Sequence, residues 1–82
     1  MAKTAGFTDM PDLKQGKYRH YKGGEYEVIE VACHSETLEW YVIYRRLYTS
    51  DAPEIWIRPY AMFVETITIK GKRMPRFTYL GT

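Results

Sequence analysis

The chain has 82 residues, a formal net charge of +2, and 12 Lys and Arg against 10 Asp and Glu. Its length allows a single domain, and the nearly even charge balance argues against a dedicated nucleic-acid-binding protein, which normally carries a larger cationic excess. The single cysteine cannot form an internal disulfide, the N-terminus lacks a signal peptide's apolar core, and no apolar run approaches the roughly 20 residues of a membrane span. We therefore expect a cytoplasmic protein without a membrane partner.

The first part of the chain predicts a flexible tail over residues 1–12. It is small and polar, and Met10-Pro11-Asp12 interrupts any helix or strand. The ordered domain is therefore expected over residues 13–82.

A pair of hairpins is predicted next. Residues 17–21 have strand character, and Lys22-Gly23-Gly24 separates them from the following strand as a hairpin turn does. Residues 25–34 and 40–48 then form the two strands of a central hairpin. The apolar alternation of residues 25–34 changes face near Ile29, which requires a bulge or a sharp bend.

The last third of the chain predicts shorter elements. Residues 55–58, 64–69 and 75–80 have strand character, Lys70-Gly71 is a turn candidate, and residues 59–63 form one helical turn that begins with proline. The total is five to six short, strongly bent antiparallel strands with one helical turn. This pattern indicates an all-β fold, specifically a small SH3-like barrel.

Five groups of residues, in a fixed order, resemble a known family. They are Gly16-x-Tyr18-Arg19-His20-Tyr21-Lys22-Gly23-x-x-Tyr26-Glu27-Val28, Ala32-x-His34-Ser35-Glu36-Thr37-x-Glu39, Val42-x-Tyr44-Arg45-x-Leu47-Tyr48, Trp56-x-Arg58-Pro59-x-x-Met62-Phe63 and Pro75-Arg76-Phe77. The order and spacing resemble the small bacterial proteins known as the domain of unknown function numbered sixteen fifty-three.

The resemblance extends from about Leu13 to Leu80 and implies an SH3-like barrel in a bacterial, cytoplasmic protein. It implies no activity, ligand or catalytic residue. The chain departs from the expected family pattern in three places, with Gly24 where Asn is usual, Cys33 where Arg is common, and a slightly long segment from Thr49 to Glu54.

The most suggestive polar cluster is His34-Ser35-Glu36-Thr37, between the two strands of the central hairpin. It combines an imidazole, a hydroxyl and a carboxylate at a strand end, where binding sites often lie. The same residue types also build turns, with Ser35 and Thr37 capping amides and His34 bonding a carbonyl. The turn interpretation is favoured, and the site interpretation stays open.

A hydrolase site and a metal site are less well supported by the sequence. A small hydrolase would need His20 to reach Ser35 across the sheet, with Glu36 orienting the imidazole, and no nucleophile-elbow pattern supports it. A metal site from His20, Cys33 and His34 matches no ligand spacing, and Cys33 and His34 point to opposite faces of a strand. We predict no metal and no cofactor.

Cationic side chains alternate with aromatic ones along much of the chain, which suits stacking and phosphate contacts or simple packing of arginine on rings. The cations are Arg19, Lys22, Arg45, Arg46, Arg58 and Arg76, and the rings are Tyr18, Tyr21, Tyr44, Tyr48 and Trp56. Binding of nucleic acid or a nucleotide through this face is the alternative function.

The preferred interpretation is a non-enzymatic binding module for a protein, a peptide or a small anionic ligand; self-association belongs to the same class. Arg19 and Arg58 supply positive charge for an anionic group, and His34 and Glu36 supply hydrogen bonds. The full set of candidate ligand-binding residues is Arg19, His20, His34, Ser35, Glu36, Tyr44 and Arg58.

Overall fold

Seven strands and one helical turn make up the computed structural model, which describes residues 9–82. They are β1 (Gly16–His20), β2 (Glu25–Cys33), β3 (Trp40–Arg46), β4 (Ile55–Pro59), α1 (Tyr60–Phe63), β5 (Thr66–Ile69), β6 (Lys72–Pro75) and β7 (Phe77–Gly81). An antiparallel five-stranded sheet has the order β4-β3-β2-β1-β7, and β5 and β6 form a separate two-stranded sheet. The first eight residues of the predicted tail lie outside the described residues.

The predicted all-β class and small SH3-like barrel are confirmed, with seven strands instead of five to six. The additional strand is β6, which pairs with β5 through a tight turn at Lys70 and Gly71, both with positive φ. Sequence reasoning missed β6 because Lys72–Pro75 has neither apolar alternation nor β-branched residues. Within residues 9–82, no helix combines the length and hydrophobicity needed to cross a lipid bilayer.

The central hairpin contains the predicted bulge. Val28 pairs with Tyr44 and Glu30 pairs with Ile43, so Ile29 is the extra residue in β2. Its side chain is exposed, and its carbonyl accepts a hydrogen bond from Gln15 Nε2 at 2.8 Å. The bulge bends β2 and moves the inward-facing positions from Val28 to Val31, which is buried.

The first and last strands, β1 and β7, are neighbours in the five-stranded sheet. β1 pairs with both β2 and β7, and its pairing with β7 shifts register between Lys17 and Tyr18. The two backbones are tightly apposed at Gly16, where a Cβ atom would lie 2.7 Å from the carbonyl oxygen of Gly81. Only glycine fits this crossing, because Gly16 also has a φ of +131°.

An aromatic core occupies the inner face of the five-stranded sheet. Its buried members are Tyr18, Val28, Val42, Tyr44, Phe63 and Phe77, and Leu13, Tyr26 and Tyr60 pack against them. Alternation along β3 directs Val42 and Tyr44 inward, whereas Ile43 lies on the opposite face. The single turn of α1 places Phe63 parallel to Phe77, with the ring centroids 4.0 Å apart.

Replacing Phe63 tests whether this stack supports the fold. Phe63 is 1% exposed, so we expect Phe63→Ala to lower the free energy of unfolding by about 3–5 kcal/mol. The neighbouring control, Met62→Ala, removes a side chain that is 44% exposed and should change it by about 0.5 kcal/mol or less. Urea denaturation measures both, and equal losses would contradict a packing role for Phe63.

Candidate functional site: an aromatic and cationic groove

An open groove of about 670 Å³ lies on the inner face of the sheet, beside Tyr44 and Phe77. Strand pairing builds it, since His20 lies opposite Phe77 and Tyr44 lies opposite Trp56. The connection from β1 to β2 and the loop before β4 complete the rim. The described lining consists of His20, Tyr21, Lys22, Gly24, Tyr26, Tyr44, Tyr48, Ala52, Trp56, Arg58, Arg76 and Phe77.

Tyrosine side chains form one wall of the groove. The ring of Tyr26 packs edge-on against Tyr44 and Tyr48, with centroid distances of 5.2 and 5.5 Å. The hydroxyl groups of Tyr26 and Tyr48 are 2.7 Å apart and share a hydrogen bond. Burial, then this bond, raises the pKa of Tyr26 to about 12, so its hydroxyl stays protonated and available for hydrogen bonding.

Two arginines supply positive charge beside these rings. Arg58 donates from Nε to the hydroxyl of Tyr44 at 3.3 Å, and its guanidinium lies 5.5 Å from the centre of the Phe77 ring. Arg76 donates to Glu65 at 2.8 Å through one terminal nitrogen. Its Nε is buried and has no hydrogen-bond partner among the residues that the structure describes.

His20 lies between these groups. Its Nδ1 accepts a hydrogen bond from the backbone N–H of Lys22 at 3.2 Å, so the neutral ring carries its hydrogen on Nε2. Burial, followed by the charges of Arg58, Arg76 and Lys22, lowers the pKa of His20. A neutral imidazole at neutral pH is therefore a hydrogen-bond donor through Nε2.

Comparison with known proteins identifies the family. Residues 16–79 match the family described as Protein of unknown function (DUF1653). The chain belongs to this family. A crystal structure of a DUF1653 protein from Bordetella bronchiseptica is similar to it, with 37% sequence identity and a TM-score of 0.81, over 89% of this chain and 94% of that chain. Among curated proteins, none matches the chain.

The family resemblance expected from the sequence is thus confirmed. The DUF1653 description assigns no activity.

Three of the candidate ligand-binding residues meet in this groove: His20, Tyr44 and Arg58. Arg19 does not join them, because alternation along β1 turns it to the opposite face from His20. There it donates to Glu25 at 3.2 Å.

The other three candidates, His34, Ser35 and Glu36, lie in the connection between β2 and β3. His20 is beside the start of β2, and this connection follows its end. Nine residues of strand separate the two places, a distance of roughly 25 Å. Ser35 is therefore out of hydrogen-bond reach of His20, and the hydrolase arrangement fails on geometry.

The connection itself is a closed network of turn hydrogen bonds. His34 Nδ1 accepts the backbone N–H groups of Glu36 and Thr37 at 3.1 and 3.2 Å, in place of the expected bond to a carbonyl. Thr37 caps the amide of Glu39 as expected, with its hydroxyl oxygen accepting at 3.2 Å. These contacts account for the polar cluster as a structured turn.

The three residues of the hypothetical metal site are also separated. His20 ends β1, beside the start of β2, whereas Cys33 and His34 lie at the far end of β2. Over residues 9–82, no group of three or more His, Cys, Asp or Glu side chains is arranged to hold a metal ion. Cys33 is half-buried, and its thiol lies 3.7 Å from the carbonyl oxygen of His34.

Nine of the twelve described lining residues are absent from the candidate site predicted from the sequence, and Tyr26, Arg76 and Phe77 are among the nine. The interleaving of cations and rings was the available signal, and it included Arg76. The pairing of β1 with β7, which brings Phe77 to His20, joins distant segments and leaves no local pattern.

Substitution at His34 separates the turn role from a ligand role. His34→Ala removes the acceptor for two amides and should lower the free energy of unfolding by about 1 kcal/mol. His34→Asn keeps an acceptor oxygen near the position of Nδ1 and should restore most of that loss. Ser35→Ala is the neighbouring control, and urea denaturation that shows equal stabilities for the three variants would contradict the turn role.

The lowered pKa of His20 makes stability depend on pH. In the folded state His20 binds protons less readily than in the unfolded chain, so its contribution is complete above about pH 6.5. It is lost as the pH falls through the lowered pKa. We expect the urea midpoint to fall more steeply between about pH 7 and about pH 5 in the wild type than in His20→Gln. His34→Asn controls for the second histidine, and identical slopes for wild type and His20→Gln would contradict this linkage.

Proposed function

We propose that this DUF1653 protein is a non-enzymatic binding module whose groove takes a small anionic ligand. The observation that carries the proposal is the convergence of Lys22, Arg58 and Arg76 around His20, on a surface whose described lining contains no Asp or Glu. Like charges held this close repel one another, and an anion between them relieves that repulsion.

The partners of the cations strengthen the proposal. Arg76 is paired with Glu65, outside the described lining, whereas the hydrogen bond of Arg58 uses only Nε and a neutral hydroxyl. The terminal nitrogens of Arg58 match the paired oxygens of a carboxylate or phosphate. By contrast, the wider depression of about 920 Å³ beside Gly16 contains Glu27 and Arg45, which neutralise each other.

Binding suits the groove better than catalysis. Nucleophilic catalysis needs an activated side chain with a general base in hydrogen-bond reach. The described lining offers tyrosines and one histidine, and the acceptor nitrogen of that histidine is already occupied by the Lys22 amide. Rings and guanidinium groups held by one another form a preorganised binding surface.

Arginine substitutions test the proposal with citrate and inorganic phosphate as probes in nitrogen-15 NMR titrations of the folded chain. Arg58→Ala should weaken binding by about tenfold or more, since charge-assisted hydrogen bonds contribute about 1.5–3 kcal/mol each. Arg19→Ala changes the net charge equally on the opposite face and should leave the affinity within about twofold of wild type.

Arg58→Lys keeps the charge without the planar fork and should give an intermediate affinity. Equal weakening by the Arg58 and Arg19 substitutions would show a general charge effect and contradict a site in the groove. Absence of any shift at His20, Arg58 and Phe77 with either probe would also contradict it.

A further inference from the structure

We propose that the anion bound in the groove is a nucleoside phosphate, with its phosphate held by Arg58 and Arg76 and its base stacked on Trp56. This inference rests on the function proposed above and makes its ligand specific. It covers a free mononucleotide and the 5′-phosphorylated end of a single-stranded nucleic acid, which share a terminal phosphate and a base.

The polar groups around the groove act as donors, which is the first argument. His20 offers Nε2–H, because its Nδ1 already accepts the Lys22 amide. Tyr44 accepts from Arg58, so its own hydroxyl hydrogen is free to be donated. In the Tyr26–Tyr48 pair one hydroxyl donates to the other, and the hydrogen of the second remains available.

These donors outnumber the hydrogen bonds that a single carboxylate group can accept. Together with the terminal nitrogens of Arg58 and the ammonium group of Lys22, they call for a ligand with three or more acceptor oxygens. A terminal phosphate supplies them with a charge of about −1.5 to −2 at neutral pH.

The second argument concerns the shape of the groove and its exposed rings. A volume of about 670 Å³ is far larger than an inorganic phosphate fills, and it falls in the range of roughly 300–1,000 Å³ typical of organic-ligand pockets. Tyr44 and Phe77 are buried and packed against Phe63, but Trp56 is 38% exposed and Tyr48 is 42% exposed. Exposed indole and phenol faces next to cations are the surfaces on which nucleobases stack.

Acidic peptides fit these observations less well. Their carboxylates have fewer acceptor oxygens, and their flexible side chains gain less from a flat indole than a rigid base does. Edge strand β4 positions Trp56 and Arg58 on the same face, two residues apart. That arrangement presents one stacking surface and one phosphate contact side by side.

The test compares AMP with ribose 5-phosphate, which keeps the phosphate and lacks the base, by nitrogen-15 NMR titration of the folded chain. AMP should bind about tenfold tighter, as expected for one base on one aromatic ring. AMP should shift the indole N–H signal of Trp56 and leave that of Trp40 unchanged. Trp56→Ala, or Trp56→Leu if the alanine variant unfolds, should reduce AMP to the affinity of ribose 5-phosphate and leave ribose 5-phosphate unaffected.

The outcomes separate this inference from the broader function. Equal affinities for AMP and ribose 5-phosphate, with the groove signals still shifting, would overturn the nucleoside phosphate and leave the anion-binding module intact. No shift with AMP, ribose 5-phosphate, citrate or phosphate would overturn both.

A final arm distinguishes the two sources of the ligand. A 5′-phosphorylated eight-nucleotide single-stranded RNA of adenosines that binds at least tenfold tighter than AMP, with affinity falling steeply as salt rises, identifies single-stranded nucleic acid. Equal affinities for the octamer and AMP identify a free nucleotide. Either result supports the inference.

Discussion

The stacked contact between Phe63 and Phe77 connects the hydrophobic core of this protein to its groove. Phe77 is buried against Phe63 on its core side, and it also contacts His20 and lies under the guanidinium of Arg58. The same ring therefore completes the hydrophobic core and forms the floor of the groove. A domain this small has few buried side chains, so one residue can serve both the packing of the core and the shape of the groove. Loss of the stack would disturb the groove together with the core.

Among the described residues, Arg58 differs from three other arginines in the charge of its partners. Arg19, Arg45 and Arg76 each pair with a glutamate. Arg58 instead has a tyrosine hydroxyl and an aromatic face as partners, which orient it without neutralising it. In the complex proposed above, the guanidinium is already held in place before the ligand arrives, so less side-chain entropy is lost on binding.

The two ends of the central hairpin have different roles. At one end, the connection from β2 to β3 uses its own polar atoms for turn hydrogen bonds centred on His34. At the other end, the phenol groups of Tyr26 and Tyr44 face an open groove. The bulge at Ile29 lies between these ends and changes the direction of β2, which is how one strand contributes to both. The polar motif His34-Ser35-Glu36-Thr37 thus lies in the turn at one end of the hairpin, and the groove lies at the other end.

Local sequence patterns predict the all-β class, the central hairpin, the bulge near Ile29 and the helical turn after Pro59. Each of these depends on local alternation, turn residues or proline, which act over a few positions. The sequence also named His20, Tyr44 and Arg58 as candidate ligand-binding residues, which the structure brings into one groove, but grouped them with His34. Only the tertiary structure decided that β7 pairs with β1 and brings Phe77 and Arg76 beside His20. Pairing between distant segments is set by closure of the sheet around its core, and no local pattern encodes which strand ends meet.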